Sequence, residues 1–255
     1  MNKISTQADG LGMPNKEKIN YESVFAHPEL APLYEEFRRC IVKYPDGRIE
    51  DINEAVRMTL GFEKMKQLIM TADVQEQDII LALFGGPGGS VRLLSLLRQR
   101  LLIAADILYH GKRPSFTGWY FELSASFDNW TRRLEECGIL PRQAVRHPIL
   151  LQLDVREPEL GLINSVDKIV IDPPFGNVSE RLLGITKEES KQIFLSSLKL
   201  SENYLTGKGK ATCSIPREWL NEKILDQTNL RVTFTKVIGA SERFAIVQLE
   251  KIAGE

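Results

Sequence analysis

The pattern of apolar and polar positions changes character once along the chain, near residue 76. Before it, apolar residues recur at helical spacing. Over residues 28–43, Leu30, Leu33, Phe37, Ile41 and Val42 recur at near-helical spacing and predict a helix, ended by the breaker turn Tyr44-Pro45-Asp46-Gly47. Over residues 49–70, Ile52, Ala55, Val56, Leu60, Met65 and Ile69 predict a second. Residues 1–20 are polar, with Gly10, Gly12 and Pro14 scattered among them, and read as a flexible arm.

After residue 76 short apolar runs alternate with helical stretches, the mark of a sheet covered by helices on both faces. Residues 79–84 form a continuous apolar run suited to a buried central strand. A long apolar helix is expected over 90–110, a strand over 116–123, and a helix over 127–137 closed by Gly138. Strands follow at 149–155 and 168–171, then a helix at 188–205 and a strand at 210–215. A helix at 219–230 and two strands, 232–238 and 244–249, complete the chain. The pattern predicts an α/β fold, a doubly wound seven-stranded, mostly parallel sheet ending in an antiparallel edge hairpin. The expected division is an arm (1–20), a small helical appendage (21–75) and the α/β domain (76–255).

Composition excludes several classes. Hydrophobic residues make up 43% and charged residues 26%, proportions of a globular chain with a sizeable core. No apolar run approaches the ~20 residues of a membrane-spanning helix. The opening residues lack the positive-then-apolar order of a secretory signal, so a cytoplasmic or nucleoid-associated protein without a membrane partner is expected. Cys40, Cys137 and Cys213, like His27, His110 and His147, match no metal-ligand spacing, and no metal is expected. The net charge of −1 constrains partners more sharply. Binding to many phosphates calls for local positive charge, so a nucleic-acid partner requires a basic patch on this chain or a protein partner that supplies one.

Chemistry concentrates at four places. Phe84-Gly85-Gly86-Pro87-Gly88 lies between the first α/β strand and the next helix, where glycines let backbone N–H groups approach a ligand closely. By itself this loop suits either a dinucleotide or S-adenosylmethionine. Glu122 ends the expected second strand, where an acid accepts hydrogen bonds from ribose hydroxyls. Asp154 follows Ile149-Leu150-Leu151, placed to bond a cofactor's adenine amine or to serve as an ordinary strand-end carboxylate. Finally, Ile169-Val170-Ile171 runs straight into Asp172-Pro173-Pro174-Phe175. The prolines stiffen the backbone and remove N–H donors. The Asp172 carboxylate and the Pro173 carbonyl then offer two acceptors to a planar amine, and Phe175 offers a ring for stacking.

Asp172-Pro173-Pro174-Phe175 resembles the (Asp/Asn/Ser)-Pro-Pro-(Tyr/Phe) motif of class I amino-methyltransferases. The loop at 84–89 resembles their cofactor loop and precedes the motif, as in gamma-type enzymes. The stretch from Lys210 through Pro216-Arg217-Glu218-Trp219-Leu220, with the hairpin ending in Ile246-Val247-Gln248-Leu249, is similar to the tail of adenine-specific (N6) DNA methyltransferases. The likeness spans roughly residues 77–251. It implies a Rossmann-like methyltransferase fold, S-adenosylmethionine held by Phe84, Gly85, Gly86, Pro87, Gly88, Glu122, Asp154 and Asp172, and catalysis by Asp172, Pro173, Pro174 and Phe175. The implied reaction methylates an exocyclic nucleobase amine, adenine N6 in DNA first. Adenine or guanine amines in ribosomal or transfer RNA, a protein glutamine amide, a non-catalytic subunit and a nicotinamide enzyme stay open. Ala82 stands where many family members carry an acid. Target recognition has residues 1–75 and the loop 176–187 to draw on, or a partner protein.

Overall fold

The computed structural model describes residues 21–37, 40–43, 49–52, 60–86, 88–107, 120–121, 123–157, 161, 163–175, 184–238 and 243–252. Its centre is a seven-stranded sheet in the order β6-β4-β3-β7-β8-β10-β9. These strands are β3 (Ile79–Leu83), β4 (Leu101–Asp106), β6 (Ile149–Gln152), β7 (Val166–Ile171), β8 (Leu205–Pro216), β9 (Leu230–Ile238) and β10 (Phe244–Lys251). Numbered within the sheet, the order is 3-2-1-4-5-7-6. β3, β4, β6, β7 and β8 pair in parallel, and β10 runs antiparallel to both its neighbours. This is the Rossmann-like methyltransferase fold, and the order of strands reverses between β3 and β7.

Side-chain alternation explains why β3 reads as an unbroken apolar run. Ile80 and Ala82 enter one hydrophobic cluster, while Leu81 and Leu83 enter another on the opposite face. The first cluster is roofed by α1 (Tyr21–Phe25), α2 (Leu30–Phe37), α3 (Phe62–Thr71), α4 (Gly89–Leu94) and α5 (Leu123–Glu136). The second is covered by α6 (Lys187–Tyr204) and by Trp219 of α7 (Arg217–Asn221), the α-helices being numbered in chain order. Helix α6 begins on a capping box. The Thr186 side chain accepts from the Glu189 N–H, and the Glu189 carboxylate accepts from the Thr186 N–H at 2.7 Å.

The helices before residue 76 share the core of the sheet. Val24, Phe25, Leu33, Tyr34, Met65, Leu68 and Ile69 are buried in the same cluster as Ile80, Val91 and Val170. Polar ties accompany the packing. The Gln248 amide of β10 donates to the Thr71 carbonyl at 2.7 Å, and the Tyr21 hydroxyl accepts from the Arg98 N–H at 2.5 Å. Ala82 lies fully buried under these helices, in surroundings where a carboxylate would be stripped of water.

Four sequence expectations are corrected. The helix expected over 28–43 stops at Phe37, and Cys40–Lys43 is instead strand β1, antiparallel to β2 (Ile49–Ile52). The second helix starts at Phe62 rather than 49. In both cases short segments carrying Ile or Val flank the sequence Pro45-Asp46-Gly47, and such a sequence pattern also suits a hairpin. The long helix over 90–110 divides into α4 and the central strand β4. A run such as Leu101-Leu102-Ile103-Ala104-Ala105 suits a buried helix and a buried strand equally, and burial on both faces decided for the strand. The strand expected over 116–123 reduces, among the described residues, to β5 (Tyr120–Phe121), which pairs with β1 in a separate three-stranded sheet. β4 therefore holds the second-strand place that the sequence assigned to 116–123.

Candidate active site

Among the described residues, those singled out for chemistry gather at the carboxyl ends of the parallel strands. Register accounts for the placement. Leu83 of β3 is paired with Ile171 of β7, so Phe84 and Asp172 leave the sheet side by side at its reversal point. In open α/β sheets that point opens a crevice outside the strand ends.

On the β3 side the loop turns through left-handed backbone at Phe84 (φ 58°), Gly86 (φ 46°) and Gly88 (φ 88°). Gly88 is the N-cap of α4, where a side chain would be strained. Phe84 holds this conformation despite its Cβ, at a cost of roughly 1–2 kcal/mol. Such strain persists only where surroundings enforce it. Here Gly85 N–H donates to the Ala105 carbonyl at 3.2 Å and Gly88 N–H to the Gly85 carbonyl at 2.7 Å. Pro87 lies outside the described residues.

The acid that serves this loop is one the sequence reading missed. Asp106, buried at the end of β4, accepts the Gly86 N–H through Oδ2 at 2.8 Å. It stands 20 residues after Gly86, the spacing of about 20 at which compact dinucleotide folds place their ribose acid. Glu122, expected in that role, lies outside the described residues. A strand reading of 101–106 would have exposed Asp106 at once, because it ends an apolar run beside the glycine loop.

Asp154 sits two residues beyond β6, engaged locally by Arg156. Its Oδ1 accepts from Arg156 Nε at 2.8 Å and its Oδ2 from the guanidinium at 2.6 Å. The partnership raises the Arg156 guanidinium above its ordinary value through the hydrogen bond to Asp154. A ligand amine at Asp154 would therefore share the carboxylate with Arg156.

On the β7 side, Asp172 is half-buried and Pro173 buried, with Pro174 and Phe175 partly exposed. Burial pushes the Asp172 carboxyl up to about 6, opposed by a hydrogen bond from the Ser214 hydroxyl to Oδ1 at 2.5 Å. Ser214 lies on β8 one residue beyond the Ile171–Cys213 pair, so sheet register delivers it to Asp172. Ser214 falls inside the stretch from Lys210 to Pro216, and the sequence reading gave it no role. Nothing local marks it, since 42 residues separate it from Asp172.

Phe175 belongs to an aromatic group. Its ring stands edge-on to Trp219, with centroids 6.0 Å apart, and tilted against Phe244 at 5.4 Å. Phe194 of α6 backs Trp219 at 5.3 Å. Glycine loop, Asp106, Asp172, Ser214 and Phe175 are thus assembled at one end of the sheet. Among the described residues, no cluster of His, Cys, Asp and Glu suits a metal ion, and no helix is long and apolar enough to cross a membrane.

No protein-family model and no curated protein matches the chain by sequence. Solved structures do resemble it. A ribosomal protein L11 methylase from Lactobacillus delbrueckii subsp. bulgaricus superposes with a TM-score of 0.49 at 13% identity, covering 76% of this chain and 82% of that one. A TehB-like SAM-dependent methyltransferase from Corynebacterium glutamicum gives 0.46 at 16% identity, covering 74% and 87%. An rRNA methylase from Streptococcus thermophilus gives 0.43 at 14% identity, covering 75% and 95%.

Proposed function

We propose that this protein is an S-adenosylmethionine-dependent N-methyltransferase acting on the exocyclic amine of a nucleobase, adenine N6 in DNA. The observation that carries the reading is the placement of Asp172-Pro173-Pro174-Phe175 directly after β7, beside the glycine loop at the point where the strand order reverses.

The residues present fit the cofactor. The loop at 84–88 has the left-handed turns that bring backbone close to a ligand, and Asp106 stands at the strand end where ribose hydroxyls are held. Asp154 is the candidate for the adenine amine, once its bond with Arg156 is shared or released. S-adenosylmethionine, when bound, supplies an electrophilic methyl group on its sulfonium.

The chain's own task is to prepare the amine. An exocyclic amine delocalises its lone pair into the base and is a poor nucleophile. Hydrogen bonds from its two protons to the Asp172 carboxylate and the Pro173 carbonyl favour the geometry in which that pair stays on nitrogen. Ionised Asp172 is also the nearest acceptor for the proton the amine must lose. Ser214 fixes which oxygen is committed, since its hydroxyl holds Oδ1. Phe175, braced by Trp219 and Phe244, supplies an edge or face against an extruded base. Holding both reactants in line accounts for most of the acceleration such a transfer needs.

The test incubates purified protein and labelled S-adenosylmethionine with duplex DNA, single-stranded DNA and structured RNA, then resolves nucleosides by mass spectrometry. The expected product is N6-methyl-2′-deoxyadenosine, lost in Asp172→Ala while S-adenosylhomocysteine still binds. Label confined to RNA would replace the DNA assignment, and label in a protein glutamine would overturn the nucleobase reading.

A further inference from the structure

Two cations from distant parts of the chain lie beside the Phe175–Phe244 pair next to Asp172. Lys64, in the first turn of α3, places its ammonium 4.7 Å from the centroid of the Phe244 ring. Arg243 immediately precedes Phe244 and is exposed. The Arg217 N–H, next after Pro216, the registered partner of Phe244, donates to the Arg243 carbonyl at 2.9 Å and ties Arg243 to the end of the β8–β10 ladder. Lys64 and Arg243 form no ion pair with any described residue. The neighbouring carboxylate of Glu218 is taken up by Lys187 at 3.1 Å.

We infer that Lys64 and Arg243 form a phosphate-binding rim that grips the nucleic-acid backbone beside the target base. The inference rests on the reading of Asp172 and Phe175 as the acceptor site and extends it to the substrate's backbone. It resolves the conflict between a net charge of −1 and a polyanionic substrate, because the positive charge is concentrated where the base must enter. It also gives α3 a part in substrate binding: the helix packs into the core through Met65, Leu68 and Ile69 and presents Lys64 toward Phe244. The ring beneath Lys64 holds the ammonium by cation–π attraction without neutralising it.

The experiment measures binding of a fluorescent adenine-containing oligonucleotide, single-stranded and duplex, by anisotropy across a salt series, without methyl donor. Each lost phosphate contact lowers the magnitude of the log K against log salt slope by about 0.7 for single strands and 0.9 for duplex. The double variant Lys64→Gln/Arg243→Gln should therefore flatten the slope by about 1.4 to 1.8 and weaken binding roughly 25- to 60-fold at 0.1 M salt. S-adenosylhomocysteine affinity and melting temperature should stay at wild-type values, which separates a lost grip from a lost fold. Lys208→Gln, on the amino-terminal half of β8, is the control and should leave the slope unchanged. An unchanged slope in the double variant overturns the rim, as does an equal drop in the control. Since binding is read without chemistry, a working rim on a protein that methylates no base would sink the catalytic reading alone. Methylation with an unaltered slope would sink the rim alone.

Discussion

The two halves of the central sheet build their share of the site by different means. In the β3-β4-β6 half the proposed cradle is a loop of left-handed backbone whose Gly85, Gly86 and Gly88 N–H groups, like the carboxylates nearby, are bonded within the protein. Asp106 holds Gly86, and Asp154 holds Arg156. In the β7-β8-β10 half the working group is one side chain, Asp172, in an environment that disfavours its charge and gives it one named donor, Ser214. In the proposed reading the first half is a cradle set by backbone geometry and the second a reactive position set by side-chain chemistry and burial. Damage to the two halves should therefore separate cleanly, binding from rate.

The largest expected effect is on rate. Asp172→Ala should lower methyl transfer by roughly 10²- to 10⁴-fold, the range associated with a positioned acid–base group, while calorimetry shows unchanged S-adenosylhomocysteine affinity. A matching loss of cofactor affinity would erase the contrast between the halves. Next comes Asp106→Ala, which removes a charged acceptor from the Gly86 N–H. Cofactor affinity should fall on the order of 10- to 100-fold, with KM for the nucleic acid little altered. Phe175→Ala should raise KM for the nucleic acid roughly tenfold, in line with the loss of one base–ring stacking interaction. Phe175→Tyr should restore it.

Smaller effects are read in pH. Ionised Asp172 is the form that accepts the amine protons, so kcat/KM should fall as pH drops through about 6. Ser214 donates to the charged form and holds the carboxyl lower than burial alone would. Ser214→Ala should therefore move the acid limb toward higher pH and leave the rate at pH 8.5 close to wild type. A limb that stays in place would show that Asp172 does not titrate in the rate. Stability should run the other way. The folded carboxyl titrates near 6 against an unfolded value of about 3.9, so the native state binds this proton more tightly. Its stabilisation is complete below about pH 4 and lost as pH rises through 6. Asp172→Asn should then raise stability at pH 8 by up to about 3 kcal/mol, read as a higher melting temperature. At pH 4 it should change little.

Legibility from sequence followed the range of the signals. The strand ending in Asp172-Pro173-Pro174-Phe175, the glycine loop and the final hairpin are local patterns, and each was read where the structure has it. The helix boundary at 37 and the pairing of Cys40–Lys43 with Ile49–Ile52 were missed because the Pro-Asp-Gly sequence was read as a helix terminator rather than as a hairpin connection. Strand β4 was missed for a deeper reason. A stretch buried on all sides carries no periodicity, so Leu101–Asp106 merged with the helix before it, and Asp106 vanished from the candidates. Glu122 was put forward in its place.

What the sequence by itself determined is the fold class, the order of most elements, and the two motifs, because turn chemistry, apolar runs and paired prolines act over a few neighbouring residues. The tertiary structure alone decided which partners those motifs receive. Parallel pairing brings Asp106 to Gly86, register carries Ser214 to Asp172, and packing of α3 on the sheet brings Lys64 to Phe244. These are meetings of residues 20, 42 and 180 positions apart. No local pattern encodes them, because the free energy that joins them is the burial of two hydrophobic clusters on opposite faces of one sheet.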